Sequence, residues 1–162
     1  MGVAIADLCV HLGWGRVGII TESLAANTPS PWSDESAQYF EDAHVARGGS
    51  VLRPPSSLLP QRDVCEAAGG QAAAQPTTRA LLQWAVDAGI KVLFLPMSPD
   101  CNRGLFAEIA ASGLLFGEGH AFLVNWVSDS ILYNIDGTVN VCLLYTSPSP
   151  RDLSTSRMPS SA

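Results

Sequence analysis

Leu12 to Ser23 reads L-G-W-G-R-V-G-I-I-T-E-S. Gly13 and Gly15 mark the end of a preceding helix, and Arg16 to Thr21 is a short run rich in β-branched residues, the pattern of a strand buried on both faces. Glu22 and Ser23 form its polar end. Ligands of an open α/β sheet bind outside the carboxyl ends of the strands, so these two residues are the first cleft candidates. Gly13 to Gly18 also matches G-x-G-x-x-G, but the dinucleotide fingerprint needs a strand before it and a helix after it. Here the order is reversed, and the glycines serve a helix-to-strand turn.

Upstream, Val3 to Leu12 places Val3, Ile5, Ala6, Leu8, Cys9 and Leu12 at spacings that predict an amphipathic helix stopping at Gly13. Downstream, the Pro- and Ser-rich stretch Asn27 to Trp32 breaks structure and supplies a helix start at Ser33 or Asp34. A helix runs on through Gln38 to Arg47 and ends at Gly48-Gly49, and Ser50 to Arg53 is a second strand. Pro54 to Thr78 holds Pro-rich points, a Gly-Gly and an alanine run. At about 25 residues it is longer than compact domains place between elements, which predicts an inserted flexible surface loop over 54–78. Thr78 caps a helix over Arg79 to Ala88, closed by Gly89. Lys91 to Leu95 is a buried strand ending in Pro96, Met97 and Ser98. Asp100 caps a helix over Asn102 to Ser112, stopped by Gly113, and Gly119 to Trp126 is a fourth strand ending at Asn125 and Trp126. Val127 to Val141 holds a turn at Asp136-Gly137 and a partial strand pair. The alternation predicts an α/β domain, an open, mostly parallel sheet with helices on both faces.

Composition narrows the function classes. The chain has 162 residues, is 47% hydrophobic and carries a net charge of -6, with nine Lys and Arg scattered along it. That is one domain with enough apolar content for a core. It is also the wrong balance for nucleic acid, whose phosphates need clustered cations. No apolar run approaches the roughly 18 to 20 residues that cross a bilayer. Asp7 inside the first apolar pattern, with no basic leader, reads as a helix rather than a signal peptide. Cys9, Cys65 and Cys101 lack zinc-ligand spacing, although a disulfide from Cys65 is compatible with an oxidising compartment. His11, His44 and His120 stand alone, and Ser23 and Ser98 lack the flanking glycines of a nucleophile elbow. Glu22 alone does not make a phospho-acceptor site. No catalytic constellation is visible, so neither an enzyme nor a cofactor is expected. The cleft candidates are Glu22, Ser23, Met97, Ser98, Asn125 and Trp126, the last an aromatic face beside an amide.

From Cys142 to Ala162 the periodicity vanishes and Ser, Pro and Arg dominate. Cys142 to Asp152 and Ser156 to Ala162 resemble the translation of a transposase-type sequencing-library adapter, with Leu153 to Thr155 where a variable index falls. The expectation is a disordered, adapter-derived tail over 142–162 and a natural segment of 1–141.

The successive stretches A-D-L-x-x-H-L-G-W-G-R-V-G-I-I-T-E-S, F-E-D-A-H-V-A-R-G-G-S-V-L, L-L-Q-W-A-V-D-A-G-I-K-V-L-F-L and L-F-A-E-I-A-A-S-G-L-L-F-G-E-G-H-A-F-L-V-N-W resemble the ligand-binding region of type I periplasmic-binding-protein-like receptors. That group includes the extracellular domains of natriuretic-peptide, metabotropic-glutamate and GABA-B receptors. The resemblance covers Val3 to Trp126 apart from the 54–78 insertion, and rests on Gly13-Trp14, Gly48-Gly49, and Gly113 with Gly117 and Gly119. It implies part of the second of two lobes that close on a small ligand, amino-acid-like in some members. The implied partners are the sister lobe, a membrane region of the same chain and a second receptor subunit, with no nucleic acid. The implied location is the extracellular side of a membrane. Where amino-acid receptors carry an aromatic residue after the first strand, Ala25 stands; where some carry an acidic residue after the fourth, Asn125 and Trp126 stand. The competing expectations are a soluble solute-binding protein, a dimerisation lobe that binds no ligand, and a small flavodoxin-like α/β enzyme. The enzyme would need a phosphate loop or a triad.

Overall fold

A computed structural model describes residues 2–25, 28–67, 76–115 and 119–124. In chain order its elements are α1 (Gly2–His11), β1 (Arg16–Ile19), β2 (Ser23–Ala25), β3 (Thr28–Pro29), α2 (Pro31–Ala46), β4 (Ser50–Leu52), a 3-10 turn (Ser56–Leu58), α3 (Arg62–Ala67), α4 (Pro76–Asp87), β5 (Val92–Leu95), α5 (Pro99–Ser112) and β6 (Ala121–Val124). β1, β4, β5 and β6 form one parallel sheet in the order β4-β1-β5-β6, and β2 and β3 make a separate antiparallel pair. The fold is therefore α/β, as the alternation predicts.

The period-two alternation of a strand sorts the core into two layers. Val17, Ile19, Val92 and Phe94 point to one face and pack with Ala6 and Cys9 of α1 and Ala37 and Phe40 of α2. Ile20, Leu93 and Leu95 point to the other, against Leu81, Leu82 and Ala85 of α4 and Leu105, Phe106 and Ile109 of α5. Both faces are covered, which is why these strands read as continuous apolar runs. Gly18 sits on the second face, where a Cβ would lie 2.8 Å from Leu93 Cδ2 and 2.9 Å from Ile90 Cδ1. Its missing side chain lets Ile90 close over the sheet.

The 54–78 insertion is corrected over the residues described. Ser56–Leu58 form a 3-10 turn, Arg62–Ala67 form α3, and Cys65 is disulfide-bonded to Cys101 of α5. Ser23 N donates to Pro60 O at 3.0 Å, and Ser23 bridges Gln61 in parallel. A six-residue helix shows too little periodicity to be read, and the cross-link that holds it is invisible in sequence spacing. Three helix starts also move. α2 begins at Pro31, leaving Ser33 inside its first turn; α4 begins at Pro76, ahead of Thr78; and α5 begins at Pro99 with Ser98 as its cap, the hydroxyl accepting from Cys101 N at 3.5 Å. All three helices open on proline, which suits the first helical position because an N–H there is unpaired in any case. The fourth strand is described over Ala121–Val124. Asn125, Trp126, Gly117, the turn at Asp136-Gly137 and the 142–162 tail lie outside the described residues.

Candidate functional site

From β1 the chain moves outward to β4, then returns across the sheet to β5 and β6. The direction of winding reverses between β1 and β5, and the carboxyl ends of that pair flank the crevice where such sheets bind ligands. The residues that follow the two strands are Ile20 to Ser23 and Pro96 to Ser98.

A buried polar network closes this point. Glu22 N donates to Ser33 Oγ at 3.1 Å, and Ser33 Oγ donates in turn to Pro96 O, so one hydroxyl ties both strand ends to α2. Ser98 N donates to Glu22 Oε2 at 2.8 Å, and Asn102 Nδ2 donates to Met97 O at 3.1 Å. The Glu22 carboxylate thereby sits at the amino end of α5, where the helix dipole favours negative charge. Its other oxygen, Oε1, has no hydrogen-bond partner.

This arrangement corrects part of the expected rim. Glu22 is 1% exposed and Met97 fully buried, and Ser23 is also buried, its hydroxyl donating to Pro60 O at 3.3 Å. Glu22 and Ser23 build the floor under the strand ends; Met97 belongs to the apolar layer beneath α4 and α5. Of the described candidates, Ser98 alone lines the open pocket at this edge. That pocket has a volume of about 260 Å³ and is walled by Trp32 from α2, Arg62 and Glu66 from α3, and Ser98, Pro99 and Asp100 at the start of α5. Sequence reading missed Trp32, Arg62, Glu66 and Pro99 and took Asp100 for a cap. An aromatic in the first turn of the helix after β1 was the one available signal.

The pocket's charges are paired along its walls. Arg62 Nε contacts Glu66 Oε1 at 2.7 Å, and Arg103 lies 3.0 Å from Asp100 Oδ1. Arg62 is held more firmly protonated than an isolated guanidinium, chiefly by its hydrogen bond to Glu66, with the Glu66, Glu22 and Asp100 charges adding to it. Each carboxylate at the opening therefore faces a guanidinium group.

The histidines stand at the opposite end. His11 closes α1 before β1, His120 precedes β6, and His44 in the last turn of α2 lies 3.3 Å from Gly15 O, ahead of β1. All three occupy the amino edge of the sheet, remote from both serines of the carboxyl edge. Among the described residues, no group of three or more His, Cys, Asp or Glu is placed to hold a metal, and no helix is long and apolar enough to cross a membrane. No protein-family model matches the chain, and no curated protein matches it.

Proposed function

We propose that the chain is part of the second lobe of an extracellular ligand-sensing domain of a membrane receptor, of the type I periplasmic-binding-protein-like kind. The carrying observation is the open pocket at the winding reversal of the parallel sheet, walled by Trp32, Arg62, Glu66, Ser98, Pro99 and Asp100. An open half-site of this kind suits a small polar ligand, amino-acid-like in its charges, that a sister lobe of the same full-length protein covers. Closure then becomes a signal because the ligand contacts both lobes in the closed state alone. Binding rather than catalysis is favoured by the engagement of both edge serines with the main chain and by the histidines at the far edge. The Cys65–Cys101 disulfide supports an oxidising, extracellular setting.

The test begins with the full-length transcript. An upstream sister lobe and downstream membrane helices are expected; a sister lobe without membrane helices replaces the receptor by a soluble solute-binding protein, and a transcript with no sister lobe overturns the two-lobe reading altogether. On the reconstructed two-lobe domain, screened against amino acids by calorimetry, Trp32→Ala and Asp100→Asn are each expected to weaken binding about tenfold, or roughly 1.4 kcal/mol. Unchanged affinity in both variants removes the pocket from the site.

A further inference from the structure

The two long walls of the pocket are joined by one covalent bond. Arg62 and Glu66 stand on α3 one turn apart, with Cys65 between them; Ser98, Pro99 and Asp100 open α5, with Cys101 next in line. Cys65 and Cys101 form the disulfide that spans them. The two helices are held very differently. α5 has fourteen residues and buries Asn102, Leu105, Phe106 and Ile109 among others, whereas α3 has six, of which Cys65 alone is buried. A six-residue helix is too short to persist by its own hydrogen bonds. Its place therefore depends on the bond and on the Ser23–Pro60 contacts just before it.

We propose that the Cys65–Cys101 disulfide is a redox latch on this pocket, holding α3 in place as its Arg62/Glu66 wall when oxidised and releasing it when reduced. The step is a thiol–disulfide exchange: a dithiol reductant gives two electrons and two protons, the S–S bond breaks, Cys65 and Cys101 become thiols, and the reductant leaves as its own disulfide. Two thiol sulfurs rest at van der Waals contact, well beyond a bond length, so the two side chains turn apart and the covalent tie between the helices is gone. α5 is fixed by its buried residues, and α3 yields. Both sulfurs lie in an apolar cluster with Leu81 and Leu105, so the neutral thiols are tolerated and the sheet keeps its core. Cys65 is 4% exposed, so a thiolate reaches it when α3 opens locally, which places the switch in a helix that buries one residue. The latch acts on the ligand site proposed above and rests on that reading for its purpose. Its geometry is tested without any ligand.

The experiment is hydrogen exchange with seconds-long labelling on the full 162-residue chain, oxidised, reduced with dithiothreitol, and as the Cys65→Ser/Cys101→Ser variant. Amides of residues 62–67 are expected to exchange about tenfold faster in the reduced and variant chains, while those of β1 and β5 stay protected over the same pulse, and reoxidation of the native chain restores the slow rate. Equal exchange of 62–67 in the oxidised and reduced chains overturns the latch, because packing alone then holds α3. Loss of protection through β1 and β5 also overturns it, making the bond a staple of the whole fold. So does mass spectrometry finding both thiols free in the oxidised chain. None of these outcomes depends on whether a ligand for the pocket is found, so failure of the latch and failure of the receptor reading remain distinct.

Discussion

Ser33 is fully buried and spends its one hydroxyl twice, accepting from Glu22 N and donating to Pro96 O. Ser33→Ala leaves a buried donor and a buried acceptor unmatched where β1 and β5 end, and is expected to cost about 1–3 kcal/mol in urea unfolding. A loss near zero would mean that the two strand ends do not rely on this bridge. Cys9, on the buried face of α1, makes a second residue-scale test. Burial pushes its thiol up to about 11 from an ordinary 9.0. Between those two values the unfolded chain gives up its proton and the folded chain keeps it, so the folded state binds more protons and stability falls as pH rises. Its contribution is intact below pH 9 and is lost on approach to pH 11. The urea midpoint should decline across that window, and the decline should be shallower in Cys9→Ala. At this scale Glu22 is the instructive residue. Its position after a β-branched run was legible, but its burial depends on α5 arriving over it from 76 residues away.

The α2 and β4 elements meet at His44 and Gly49. The buried His44 ring stacks on Phe40 with centroids 5.2 Å apart, and a Cβ on Gly49 would lie 2.2 Å from His44 Nε2. Gly49→Ala must push the ring off both Phe40 and Gly15 O, and is expected to cost about 1–3 kcal/mol by overpacking. Thermal melts of the variant check this, and an unchanged midpoint would show that the ring moves freely. The Gly48-Gly49 pair was legible as a helix stop; that the second glycine leaves room for an imidazole was not. Elements with a full apolar period, such as β5 and α5, were read within a few residues. α3 and the β2–β3 pair were not, because elements of two to six residues carry no period. They exist through contacts made elsewhere: the Ser23–Gln61 bridge and the disulfide.

Across the molecule, the disulfide closes a loop of 36 residues. Chain-entropy reasoning assigns such a loop about 3–4 kcal/mol, against total stabilities of about 5–15 kcal/mol for domains of this kind. Reduction is therefore expected to lower the urea unfolding free energy by about that amount while leaving a folded body, which is the condition the latch requires. A reduced chain as stable as the oxidised one would indicate that the loop is already closed in the unfolded state. Both sheet faces are already covered by helices, so the core does not depend on the bond alone.

The amino-acid sequence by itself determined the class of fold. Alternation of short apolar strands with glycine-stopped helices leaves few arrangements but a parallel sheet covered on both faces, and strand periodicity assigns each side chain to its layer. It also pointed to the carboxyl edge of the strands, where a pocket opens. Tertiary structure decided what lines that pocket. The strand ends are sealed by α5 and Ser33, so Glu22 and Met97 lie beneath the surface, and the opening passes to Trp32, Arg62, Glu66, Ser98 and Asp100. Those residues are scattered over some 70 positions and have no common spacing. They become neighbours through the order of the strands and the bond between Cys65 and Cys101, both set by long-range contacts that no local pattern encodes.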